Sequence, residues 1–305
     1  MELRHLELLR ELSQRGSITA VAAATYRTPS AVSQQLRTAE RQSGTRLVEP
    51  AGRGVRLTDA GRLLAEGGVE VAESMARVQA RLDRLVHAPL GEVSLGTLPS
   101  GGEALLPSLL ADPALTGIAL TITDFDVSEA DFARRARDHD IVVGHQPART
   151  PQARQHPTST WMLAREPLDV AMPADHRLAG DAGVTAAQVG GEPWIGVPVG
   201  YPFDAVRLAI EESIGRPMSV VQRLRDNRMV EALVAAGVGL AVLPRFTTRG
   251  RSGLVTRPLL DVPAARYLVA LTRPDRAERV AVAAVLGALV RAGRRLEVAD
   301  GEART

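Results

Sequence analysis

Residues 28–41 read Thr28-Pro29-Ser30-Ala31-Val32-Ser33-Gln34-Gln35-Leu36-Arg37-Thr38-Ala39-Glu40-Arg41. This stretch decides the fold of the N-terminal region. Thr28 offers a capping hydroxyl, and Pro29 takes the first helical position, where an N–H would go unpaired anyway. Val32, Leu36 and Ala39 share one side at i, i+4, i+7 spacing. Ser30, Ser33, Gln34, Arg37 and Arg41 lie away from them. These side chains read base edges and hold phosphates. A small core hairpin would not need such a stripe.

Working outward, Leu3, Leu6, Leu9 and Leu12 give a first helix its apolar side. Gly16 stops it, and Ser17 caps a second helix rich in alanine, which lets another helix approach closely. Two short helices, a tight turn and a polar-faced third helix form a helix-turn-helix. Downstream, Arg46–Leu57 carries Pro50, Gly52 and Gly54 inside a strand-like pair, with Arg53 and Arg56 at its tip and return. That pattern predicts a wing. Between residues 25 and 57 six arginines face two glutamates, although the whole chain has a net charge of only +2. Such a patch suits phosphate binding, or an ordinary solvated helix face.

Thr58 caps a helix through about residue 87. Leu64, Val71, Val78 and Leu85 recur every seven residues, with Gly68, Met75 and Leu82 between them. This is an a/d seam, on a helix about 45 Å long. It predicts either a dimer contact or packing on the C-terminal domain. Residues 87–91, His-Ala-Pro-Leu-Gly, form a hinge.

Composition narrows the chemistry. The chain has 305 residues, 45% of them hydrophobic, so two or more domains are expected. It contains no cysteine and no lysine. Disulfides, thiolate metal sites, thiol redox sensing, Schiff-base chemistry and a P-loop are excluded. The six histidines, His5, His87, His139, His145, His156 and His176, show no metal-ligand spacing, so no metal or other cofactor is expected. No run reaches the ~18 apolar residues of a membrane helix, and no signal peptide is read at the start. A cytoplasmic chain without membrane partners is the expectation.

From residue 91 short apolar runs alternate with helical patterns, the mark of an α/β domain. Strands are expected at 93–97, 119–123, 141–144, 168–172, 194–197, 220–224, 240–243 and 267–271, and a last helix at 277–294. The first strand ends in Thr97-Leu98-Pro99-Ser100-Gly101-Gly102. Ser100 reads either as a plain cap or as part of an anion site at a helix start. Tyr201 and Phe203 follow the strand at 194–197 and would face it, with Ser128 as a further candidate. Leu98 breaks the Gly-x-Ser-x-Gly elbow, so no catalytic residue is assigned.

Ser17–Ala22, Pro29–Leu36 and Leu57-Thr58-Asp59-Ala60-Gly61, at this spacing, resemble the LysR-type transcriptional regulators over nearly the whole chain. Pro173–Leu178 and Val234–Pro244 are similar to later family segments. Ala39 departs from the usual leucine, and Val48 and Pro50 from the usual phenylalanine and arginine. The resemblance implies an α/β protein overall. It has a winged helix-turn-helix at 1–57, a dimerisation linker helix and hinge at 58–90, and a two-lobed effector domain like a periplasmic binding protein at 91–300. Lobe 1 would hold about 91–163 and 269–300, and lobe 2 about 164–268. The implied function is an effector-gated, non-enzymatic DNA-binding regulator. Thr28, Pro29, Ser30, Ser33, Gln34, Arg37, Arg53 and Arg56 would meet DNA at an interrupted inverted repeat near a promoter. Thr97, Ser100, Ser128, Tyr201 and Phe203 would hold a small-molecule effector, and the helix start favours a carboxylate. Leu64, Val71, Met75, Val78, Leu82 and Leu85 would pair two copies, with a dimer of dimers and RNA polymerase as further expectations.

Overall fold

The computed structural model describes residues 1–52, 54–86, 90–125, 131–147, 158–201, 203–248 and 252–302. They form two compact units. The first contains α1 (Leu3–Arg15), α2 (Ile18–Ala24) and α3 (Pro29–Ser43), then the antiparallel pair β1 (Val48–Ala51) and β2 (Gly54–Leu57), then α4 (Asp59–Val86). Pro274–Val280 belongs to this unit as well. Leu8, Leu9 and Leu12 of α1, Val21 and Ala22 of α2, and Val32, Leu36 and Ala39 of α3 share one core with Leu47 and Leu57. Each large aliphatic side chain buried there contributes about 1.5–3 kcal/mol before chain entropy is set against it.

The caps follow the sequence. Gly16 ends α1 in a left-handed conformation, and its N–H bonds the Leu12 carbonyl. The Ser17 hydroxyl accepts the Ala20 N–H at 3.0 Å, and the Thr28 hydroxyl accepts the Ala31 N–H at 3.2 Å. Thr58 has two tasks. Its hydroxyl donates to the Arg46 carbonyl at 2.8 Å and accepts the Gly61 N–H at 3.1 Å, closing the wing base onto α4. A Cβ on Gly61 would overlap the Leu47 carbonyl oxygen, so this helix start needs glycine.

The second unit opens with β3 (Gly91–Thr97), α5 (Pro99–Leu110), β4 (Ile118–Asp124), α6 (Phe132–Arg135) and β5 (Ile141–Pro147). A long strand, β6 (Ser159–Pro173), follows. Next come α7 (Ala186–Val189), β7 (Pro193–Gly196), α8 (Asp204–Ile214), β8 (Ser219–Arg223), α9 (Asn227–Ala235), β9 (Ala241–Pro244), α10 (Arg245–Thr248), β10 (Leu254–Pro258) and β11 (Ala265–Thr272). The one-turn α11 (Pro274–Ala277) belongs to the first unit, and α12 (Val280–Glu302) ends the chain.

β3 lies parallel to β4 and β5, and β11 runs antiparallel between β5 and β6. β6 pairs with β11 through Pro167, and with β9 and β10 from Leu168 onward. β7 and β8 form a parallel pair bridged to this second half through Trp194 and Leu240. One long strand therefore serves two half-sheets with separate cores. One core holds Leu98, Phe132 and Leu271, and the other Leu168, Met172, Trp194 and Ile210.

Each of the eight expected strands overlaps an observed one. The expected strand at 168–172 is the end of a strand starting at Ser159, and β10 was not anticipated. β6 begins with four residues that alternate between half-buried and exposed rather than with an apolar run. The last helix starts three residues later than expected and runs on to Glu302. Its extension has tertiary anchors: Glu297 accepts the Arg165 N–H at 2.7 Å, and Asp300 meets Arg245 at 3.4 Å. Of the hinge expected at 87–91, residues 87–89 lie outside the described residues. No described helix is long and apolar enough to cross a membrane.

Candidate functional site

Two regions concentrate the candidate residues. On α3, Val32 and Leu36 point into the core, while Ser30, Gln34 and Arg37 are exposed and Ser33 is half-buried. Among the described residues no carboxylate pairs with Arg37. Arg27 donates to Gln35 at 2.5 Å, and Gln35 donates to the Arg4 carbonyl at 2.5 Å, pinning α3 to α1. In the wing Arg56 is exposed and pairs with Glu49 at 2.6 Å. Arg53 lies outside the described residues.

On α4 an apolar stripe is left uncovered. Val71 is 39% exposed, Val78 65% and Leu85 85%, with Met75 and Leu82 exposed between them. Leu64 departs from the seam reading, because it packs against the helix-turn-helix core. Gly68 has the same explanation: a Cβ there would press on the Leu6 backbone of α1. The N-terminal part of α4 is therefore occupied within its own unit.

In the second unit a cavity of about 230 Å³ opens beyond the carboxyl ends of β3, β7 and β8, where open α/β sheets place their ligands. It brings together Ser100, Tyr201 and Phe203. Phe203 holds a positive φ of 74° at the head of α8. Such strain in a bulky residue persists only where the surroundings impose it. Thr97 does not line the cavity; it is buried, and its hydroxyl donates to the Leu98 carbonyl at 3.0 Å. Ser128 lies outside the described residues.

The cavity also collects residues that were not anticipated: Phe132, Glu103, Arg225, Arg228 and Arg266. Glu103 and Arg228 form an ion pair at 2.6 Å. The Arg225 guanidinium sits 4.9 Å from the Tyr201 ring centre. A signal for two of them existed. Arg225-Asp226-Asn227-Arg228 follows the end of β8, the same strand-end position that singled out Ser100.

The profile of the lysR-family bacterial regulatory helix-turn-helix matches residues 3–62, and that of the LysR substrate binding domain matches residues 87–294. The chain belongs to the LysR family. This LysR-type regulator is 26% identical over 277 residues to the Hca operon transcriptional activator HcaR of Escherichia coli K12, covering 88% of this chain and 91% of that one. It is 25% identical over 296 residues to the regulator CbbR of Sinorhizobium medicae, covering 93% and 91%. Full-length OxyR of Pseudomonas aeruginosa superposes with a TM-score of 0.64 at 19% identity over 95% and 94% of the chains. CbnR bound to its target DNA superposes at 0.51 and 18% identity over 97% and 99%. These likenesses establish the fold. With the family, they make the chain a DNA-binding transcription regulator with an effector-binding domain, and not an enzyme.

One buried group of this LysR-type regulator titrates unusually. His145 on β5 is 3% exposed, lies edge-on to Phe132 at 5.4 Å, and has no hydrogen-bond partner on either ring nitrogen among the described residues. Burial, and then the charge of Arg266, push its imidazole down to about 3. The folded chain therefore binds fewer protons than the unfolded chain between pH 6.5 and 3, and stability falls as pH falls through that window. At pH 5 this single group costs about 2 kcal/mol relative to pH 8. Denaturant melts of the wild type and of His145→Leu should diverge by that amount on acidification. Parallel pH profiles would count against a neutral buried imidazole.

Proposed function

We propose that this regulator works as a dimer joined through α4. It presents two α3 helices to the half-sites of an interrupted inverted repeat near a promoter. The observation that carries this reading is the uncovered stripe Val71, Met75, Val78, Leu82 and Leu85 on a helix whose N-terminal part already packs on the helix-turn-helix core. The working division is a DNA-reading head at 1–57, a linker at 58–90 and an effector domain at 91–300, with lobes near 91–163 plus 269–300 and 164–268.

Ser33, Gln34 and Arg37 read bases, with Thr28, Pro29 and Ser30 at the helix start. Arg53 and Arg56 hold phosphates. The effector is a small carboxylate in the cavity between Ser100 and the Tyr201–Phe203 turn. It binds two arrangements of the dimer with different affinity and so shifts their populations. A dimer of dimers and contact with RNA polymerase complete the proposal.

Gel shifts with the chain's own upstream DNA at two salt concentrations test the DNA half. Arg37→Ala should lose about 1–3 kcal/mol of specific binding. Arg56→Ala should weaken all sequences alike and lower the salt slope by about 1. Operator binding unchanged in both variants would sink the assignment of α3 and the wing.

A further inference from the structure

We propose that Arg266 is the group that reads the effector, and that it selects a singly charged carboxylate on a flat apolar body. This rests on the reading of the cavity as the effector site.

Arg266 is 2% exposed, yet it lines the cavity. It lies on β11 directly opposite Glu166 of β6. Glu166 accepts from Arg266 Nε at 2.6 Å and from the Phe246 N–H at 3.0 Å. Arg266 Nη2 donates to Ser100 Oγ at 2.8 Å. The guanidinium also sits 5.2 Å from the Phe203 ring centre. Three groups, Glu166, Ser100 and the Phe203 ring, thus fix the plane of the cation, and among the described residues nothing bonds Nη1. Because Ser100 Oγ accepts from Arg266, its own proton is free to donate. Beside it, α5 begins without a side-chain cap. Arg266 Nη1 and the Ser100 hydroxyl thus leave two donors side by side, one of them charged, which suits the two oxygens of a carboxylate.

The charges around the cavity set the ligand's valence. Arg266 is matched by Glu166, and Arg228 by Glu103. Asp226 is turned to the N–H groups of Arg228 and Met229 at the start of α9. Arg225, stacked on Tyr201, meets no carboxylate among the described residues. Among the described residues one cation is left over, which fits one negative charge. A dianion would have to pull Glu103 off Arg228. The shape sets the body. Phe132, Tyr201 and Phe203 offer ring faces and edges. A dry cavity of about 150 Å³ holds benzene, so about 230 Å³ takes one ring and a short acidic arm.

Calorimetry on the full chain with benzoate, its neutral isostere benzamide and the dianion phthalate tests this. Benzoate should bind at least about tenfold more tightly than either, since a charge-assisted bond is roughly twice as strong as a neutral one. In the double variant Arg266→Gln with Glu166→Gln, which removes both buried charges together, benzoate and benzamide should converge. If that variant does not fold by circular dichroism, Arg266→Lys keeps the charge and loses the fork, and should lose the preference too. No benzoate binding, equal binding of benzamide, or a preference retained in the variant overturns the proposal. Phe203→Ala separates the two readings. If it abolishes binding of all three probes while no preference exists, the cavity stands and the role of Arg266 falls. If binding survives Phe203→Ala and Tyr201→Ala together, the cavity reading falls as well.

Discussion

A chain carrying Val71→Asp together with Val78→Asp should run as a monomer in light scattering and lose operator binding, if the proposed α4 seam joins two copies. Both side chains are already exposed on α4 in the single chain, so the substitutions leave the monomer's core untouched and its circular dichroism unchanged. In a dimer seam they would bury carboxylates against carboxylates. An uncompensated buried charge costs about 3–5 kcal/mol, which weakens pairing by roughly 10²- to 10⁴-fold. Loss of the second head also removes the avidity of two linked half-sites, itself worth about 10²- to 10⁴-fold. Leu64→Asp is the contrasting variant. Leu64 packs on the helix-turn-helix core, so its replacement should unfold the first unit rather than split a folded dimer. A stable dimer in the Val71, Val78 double variant would place the seam elsewhere.

Asp169→Ala should produce the largest loss of stability in the second unit. Asp169 and Arg245 are both buried. Arg245 Nε donates to one carboxylate oxygen at 2.6 Å, and Nη2 donates to the other. Burial works against the guanidinium's charge, and Asp169 with Asp300 outweighs it, so Arg245 is held protonated more firmly than a free arginine. Removing Asp169 strands that cation with, among the described residues, only Asp300, at 3.4 Å, to face it. The expected cost is about 3–5 kcal/mol, or a melting point about 10 °C lower. Replacing both partners, Arg245→Met with Asp169→Leu, should recover most of the loss, because no buried charge remains. A single variant within about 1 kcal/mol of the wild type would show that water reaches Arg245.

Local chemistry made the N-terminal unit legible. Thr28 and Pro29 start α3, and the Val32, Leu36, Ala39 spacing gives its buried side. What the sequence concealed is which contacts use up a face. The seven-residue repeat treats Leu64 and Val71 alike, but the helix-turn-helix core takes up only the former. Gly68 looks like a gap in a seam and is a close approach of two helices. In the second unit, strand ends pointed to Ser100, Tyr201 and Phe203. Arg266 escaped because it is an isolated charge inside a strand, and its partner Glu166 is a hundred residues away in sequence. Thr97 shows the opposite error: the right strand end, with the side chain turned under α5.

The one-turn helix α11 packs on α4, and Arg10 of α1 reaches Asp275 within α11 at 3.2 Å. The DNA-binding unit is therefore discontinuous along the chain, with its last piece at Pro274–Val280. During synthesis, the face of α4 that α11 covers stays bare until residue 280 has emerged. At about 5–20 residues per second that is roughly 10–40 s after α4 itself. Throughout that interval the nascent chain carries a long helix with two uncovered sides, one awaiting its own C-terminal segment and one bearing the exposed stripe from Val71 to Leu85. The same discontinuity sets a rule for dissection. An N-terminal fragment ending with α4 leaves out the α11 contact, and a C-terminal fragment beginning with β3 carries α11 without its seat.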